Sequence, residues 1–81
     1  MDLKDVVARN LRRLRSAQAI TQETLAERAS LSSRYIGKIE AGAVSPSVTI
    51  VGRLADALSV GAEELVRDPA VSRNDGTPSQ S

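Results

Sequence analysis

TQETLAERASLSSRYIGKIEAG, residues 21–42 of an 81-residue chain, holds two short helical patterns around a tight polar turn, Ala29-Ser30-Leu31-Ser32. Leu25, Ala26 and Ala29 share one side of the first pattern, and Ile36 and Ile39 one side of the second. Ser33, Arg34 and Lys38 lie on the second pattern away from its apolar residues. Two short helices joined in this way, the second with a polar and basic outer face, form the layout of a helix-turn-helix that enters a DNA major groove.

Working outward, Thr21 is a good N-cap for a helix at about 22–29, although Thr24 leaves a capping box incomplete. Ser32 caps a helix at about 33–41, which Gly42 ends. Upstream, Leu3, Val6/Val7, Leu11 and Leu14 repeat at helical spacing and predict a helix at 2–17, with Asp2 and Asp5 near its positive end. Ile20 is expected to plug the core from the link that follows. Downstream, Ala43-Val44-Ser45-Pro46 reads as a loop, because proline disfavours helix at the preceding residue. Ser47 then caps a helix at 48–58, in which Val48, Val51, Leu54/Ala55 and Leu58 repeat at i, i+3, i+6/7 and i+10. Val60 precedes a last short helix at 62–66 with Leu65 inward, and residues 67–81, polar and almost free of apolar side chains, read as a disordered tail. No segment alternates as a strand would. The expectation is all-α.

Composition narrows the function. The chain contains no cysteine and no histidine, which removes the commonest metal ligands and the usual neutral-pH acid–base and nucleophile pairs. No local motif supports a Ser–Lys or carboxylate pair, so neither an enzyme nor a metal or other cofactor is expected. No apolar run nears the ~18 residues that a membrane span needs, and the N-terminus lacks the apolar stretch of a signal peptide. With the missing cysteines, these features predict a cytoplasmic protein. The net charge of +1 is unevenly spread. From Arg9 to Arg53 there are eight basic residues against three acidic ones, and the remaining acids sit toward the ends. A local basic face fits a polyanion, although charge alone fits a solvated helix surface too.

Taken together, Leu11, Leu14-Arg15, Ile20-Thr21-Gln22, Leu25-Ala26, Ser32, Tyr35-Ile36, Ile39-Glu40, Gly42, Pro46-Ser47, Leu54-Ala55, Leu58-Ser59-Val60 and Leu65 form a spaced set. In this set the chain resembles the Cro and phage-repressor (Xre-type) family of helix-turn-helix transcriptional regulators over about residues 6–66. The resemblance implies a five-helix, lambda-repressor-like DNA-binding domain, placed at 1–66. It also implies that Gln22 contacts the DNA backbone and helps to orient the recognition helix, and that Arg15 pairs with Glu40 to tie helix 1 to helix 3. The family usually has glycine where Ser30 stands, and many relatives carry Lys or Arg where Ala43 and Val44 stand.

The residues support distinct roles. Gln22 opens helix 2, whose free amides and positive end suit a phosphate. Arg34 is the leading base reader, because its fork can bond guanine O6 and N7 together. Lys38, one turn on, reaches a base or a phosphate, and Ser33 makes a shorter or water-mediated base contact. Ser32 serves as cap, phosphate contact or both. Tyr35, the only aromatic residue, either offers its hydroxyl to a phosphate or packs. Ser47 presents the start of helix 4 to the backbone, and Arg12 and Arg13 touch phosphates or face solvent. Gly37 costs about 1 kcal/mol in mid-helix relative to Ala. A close approach by a neighbouring helix or by DNA would explain it, as would simple tolerance.

One helix-turn-helix reads too few bases for useful specificity, so double-stranded DNA is expected to meet a homodimer across an inverted repeat. The resemblance suggests an interface around helix 5, where Leu58, Val60, Ala62, Leu65 and Val66 supply apolar candidates, although Leu58 and Leu65 are equally suited to closing the monomer core. With no segment left for an effector domain, control is expected from concentration, dimerisation or a separate regulatory protein. The rival class is a protein-interaction module, antitoxin- or adaptor-like, built on the same helices.

Overall fold

The computed structural model describes residues 2–68, which form five helices and no strand. They are α1 (Leu3–Ala17), α2 (Gln22–Ala29), α3 (Ser33–Glu40), α4 (Val48–Ala57) and α5 (Glu63–Val66). Asp2, Ala41, Leu58 and Ala62, expected inside the helices, are the flanking cap residues. The expected tail lies largely outside the described residues.

Three starts are capped by side chains. Thr21, Ser32 and Ser47 hold extended backbone, and their hydroxyl oxygens accept from the amides of Thr24, Tyr35 and Ile50 at 3.0, 3.0 and 3.2 Å. Each satisfies one of the donors that a helix leaves unpaired at its start. Thr24 does not return a bond to the amide of Thr21; its hydroxyl accepts from the Thr21 hydroxyl at 3.0 Å instead.

Four ends close in the same way. A residue in the left-handed region follows α1, α2, α3 and α4: Ala19, Ser30, Gly42 and Ser59, at φ of 56°, 58°, 72° and 58°. In each case the next amide reaches back across the last turn: Ile20 to Arg15, Leu31 to Ala26, Ala43 to Lys38 and Val60 to Ala55. This double closure is the Schellman motif. It turns Ile20, Leu31 and Val60 back against the core. Only one of the four positions is glycine.

α1 packs on α3 and α5, α2 on α3 and α4, and α4 on α5. Leu11, Leu25, Ile36, Ile39, Leu54, Leu58 and Leu65 are fully buried at the centre. Ala26 is buried where α2 meets α3, and its small side chain lets the two helices approach closely. Three expectations are corrected. Leu3 and Val48, which open the apolar repeats of their helices, are 57% and 90% exposed rather than part of the core. Each sits in the first turn of its helix, ahead of the point where the next helix covers it. Leu65, a candidate for contact with a second copy, is 0% exposed and closes the monomer core.

Asn10 is a core residue that the apolar pattern passes over. It is fully buried on α1, and its Nδ2 donates to the backbone oxygens of Leu65 and Arg67 at 2.9 and 3.0 Å. It thereby ties down the end of α5, a helix of four residues whose start has no side-chain cap. Gln18 does the same for α4, donating from Nε2 to Leu58 O at 2.7 Å.

Candidate nucleic-acid interface

α3 presents Ser33, Arg34 and Lys38 to solvent, all three exposed, while Ile36 and Ile39 anchor its other side in the core. Arg34 and Lys38 are four residues apart and so share one face. Ser32 lies exposed at the head of this helix, with its hydroxyl oxygen committed to the Tyr35 amide. Tyr35 is half-buried and packs against the core. Ser47 is exposed at the head of α4, beyond a loop in which Val44 packs inward. α2 packs on both α3 and α4, and Ser33 shares a surface hollow with Glu23, Ala26, Glu27 and Leu31 of the α2 side.

Behind that surface lies a buried charged network. Glu40, at the end of α3, is only 5% exposed. Its Oε2 accepts from Arg15 Nε at 2.6 Å, and its Oε1 accepts from Arg15 Nη2 and Gln22 Nε2, both at 3.0 Å. Arg15 Nη1 also donates to Ile20 O at 2.9 Å, and Arg12 Nη1 donates to the backbone oxygen of Glu40. Burial pushes the Glu40 carboxyl up, but the hydrogen bonds from Arg15 and Gln22 and the charges of Arg15 and Arg12 outweigh it. The carboxyl therefore stays below its ordinary value, and its hydrogen bond raises the guanidinium of Arg15 above its own. The network joins α1, α2 and α3, so the angle between the two motif helices is set partly by charge. A buried ion pair costs most when one partner is removed, about 3–5 kcal/mol, because the other charge is left uncompensated.

Gln22 and Arg12, both expected at the DNA backbone, thus carry internal bonds, as the capping hydroxyls of Ser32 and Ser47 do. Gln22 is half-buried and spends one amide N–H on Glu40. Arg12, though exposed, caps a carbonyl at the end of α3 rather than standing free in solvent. Gly37 is also resolved in part. A Cβ built there meets only the Gln22 Oε1, at 3.8 Å, which is ordinary contact. Close approach by a neighbouring helix is therefore not what requires glycine at this position. Gly42 differs: a Cβ there comes within 2.9 Å of Asp5 Oδ1, and its φ is positive as well.

A second surface is apolar. Leu3, Pro46, Val48, Val51, Ala62 and Val66 line a shallow depression where the starts of α1 and α4 meet α5. Of the candidate self-association residues, Ala62 and Val66 are exposed here, whereas Val60 is half-buried against the core.

A family model described as helix-turn-helix domain matches residues 6–67. Among curated proteins, the chain is 38% identical over 66 residues to the HTH-type transcriptional regulator y4dJ of Sinorhizobium fredii, covering 82% of this chain and 86% of that one. It is 30% identical over 76 residues to the control protein C.SmaI of Serratia marcescens, covering 94% and 90%. Among solved structures, it superposes on the restriction-modification controller protein C.AhdI of Aeromonas hydrophila with a TM-score of 0.74 at 35% identity, covering 76% of this chain and 94% of that one.

Proposed function

The chain belongs to the Xre-type helix-turn-helix family of transcriptional regulators, and from that premise we propose that it is a sequence-specific DNA-binding regulator acting as a homodimer. In this reading α3 enters the major groove of each half of an inverted repeat. Arg34 reads a base there, Ser33 and Lys38 assist it, and Gln22, Ser32, Tyr35, Ser47 and Arg12 seat the phosphate backbone. The observation that carries it is the exposed, basic start and outer face of α3, braced from behind by the Arg15–Glu40 pair. The loop from Ala43 to Pro46 adds no charged side chain. One copy therefore makes few phosphate contacts, and a second copy is needed for useful affinity. Its partner surface is the apolar depression, with Ala62 and Val66 retained from the sequence expectation and Leu3 and Val48 added. We place the DNA-binding domain at 1–66 and the protein in the cytoplasm; no helix among the described residues is long and apolar enough to cross a membrane.

Selection from a random DNA pool, followed by binding measured against salt, tests the reading. An inverted repeat with half-sites about 34 Å apart is expected. Affinity for it should fall log-linearly and steeply with salt. A chain that enriches no sequence, or whose binding is indifferent to salt, is instead a protein-interaction module on the same helices.

A further inference from the structure

Glu40 is buried with its carboxylate fixed by two hydrogen bonds from Arg15, yet one of its oxygens takes a third bond from a residue at the surface. That residue, Gln22, is the first of α2. Thr21 Oγ1 satisfies the amide of Thr24, so the amides of Gln22 and Glu23 precede the first satisfied donor of the helix. A glutamine side chain can present either its oxygen or its NH2 group to a neighbour. Against a carboxylate only the NH2 end is attractive, so Glu40 decides which way this amide points. One N–H is bound at 3.0 Å, and the other stays on the same oriented amide, available to a further acceptor. A phosphate is acceptor-only, and a free glutamine would present its repelling oxygen part of the time.

We propose that Glu40 is a positioning residue for DNA: through the Gln22 amide it sets a phosphate contact at the head of α2, in addition to joining α1 to α3. The inference rests on the DNA-binding reading above. The same carboxylate thereby couples the seat on the backbone to the base-reading helix, since Glu40 is the last residue of α3.

A double-mutant cycle tests this on the full chain, with an inverted repeat selected from a random pool as probe and at a temperature where every variant is folded by circular dichroism. Gln22→Ala should weaken binding about tenfold in the wild-type background, the size expected for one hydrogen bond to a charged group. In a Glu40→Gln background the same substitution should change binding less than about twofold, because an amide at position 40 can present either its oxygen or its NH2 group and no longer fixes which way Gln22 points. An equal loss in both backgrounds would make Glu40 purely structural and overturn the proposal. No loss in either would remove Gln22 from the DNA and overturn it too. Discrimination lost at one position per half-site in Arg34→Ala would show, in that case, that the DNA-binding reading itself survives. Should Glu40→Gln fail to fold, the unaltered protein supplies the test by NMR. The two Nε2 protons of Gln22 should be well separated, with only the one not bonded to Glu40 shifting when the probe DNA is added. A degenerate pair, or a pair that DNA leaves unmoved, would overturn the proposal.

Discussion

Around Ser33, Arg34 and Lys38 the surface is polar, and each element beneath it is tied by directional bonds: caps at three helix starts and a buried carboxylate joining three helices. Around Leu3, Val48 and Val66 the surface is apolar, and contact there depends on area rather than direction. In the proposed reading the first face meets a DNA groove, which demands donors placed to within a fraction of an ångström, and caps and a buried ion pair hold the elements beneath it. A surface that meets a second copy gains from burial alone, which is non-directional and tolerates adjustment. The two faces should therefore fail in different ways when altered.

The largest effect is expected at the brace. Glu40→Ala leaves Arg15 without its partner and should lower the stability of the monomer by about 3–5 kcal/mol, read as a melting shift. An unchanged melting temperature would mean that the polar face is not held by charge. Acid should act in the same direction. Because the carboxyl of Glu40 is held below its ordinary value in the folded state, its contribution is complete above the ordinary range near pH ~4.3 and is lost as the pH falls through the folded value. Glu40→Gln should flatten that acid limb.

Next in size is the apolar face. Val48→Asp puts a carboxylate in the first turn of α4, where the helix dipole favours it, at a side chain that is 90% exposed. The monomer should therefore keep its fold. Self-association measured by sedimentation should weaken at least tenfold, since burying a valine gains about 1.5–3 kcal/mol. Self-association unchanged in both Val48→Asp and Val66→Asp would place the interface elsewhere.

The smallest effects lie at the helix ends beneath both faces. Ala19→Gly, Ser30→Gly and Ser59→Gly should each raise stability by about 0.5–1 kcal/mol, by relieving a left-handed residue. Gly42→Ala should do the reverse and displace Asp5 as well. Gly37→Ala, with only ordinary contact at the new methyl, should stabilise α3 by up to about 1 kcal/mol.

How far the sequence foretells this molecule follows from the kind of signal that each residue leaves. Thr21, Ser32, Ser47 and Gly42 mark helix boundaries by local chemistry, and the structure places them at those boundaries. Leu11, Leu25, Ile36 and Leu54 reveal the core by period. Val48 fits the same period and is exposed, because periodicity says which side of a helix is apolar but not how far along it the neighbouring helix reaches. Asn10 was missed for a related reason. A buried amide looks like any polar surface residue until its partners, more than fifty positions away, are brought beside it. Its one local sign is its place beside Leu11 and three residues after Val7, on the inward side of α1. The left-handed ends at Ala19 and Ser59 left no sign at all, since neither residue is a customary helix stop. The pairing of Arg15 with Glu40 came from resemblance, whereas the third bond, from Gln22, required coordinates.

Sequence preference measured with and without Arg34 tests the central claim most directly. Wild-type protein and Arg34→Ala are each used to select from the same random DNA pool, and affinities are compared for every base at each position of the enriched site. The exposed start of α3 predicts that Arg34→Ala loses discrimination of about 1–3 kcal/mol at one symmetric position per half-site, with the other positions and the salt slope nearly unchanged. A site read equally well without Arg34, or a uniform loss across all sequences, would contradict α3 as the element that reads DNA.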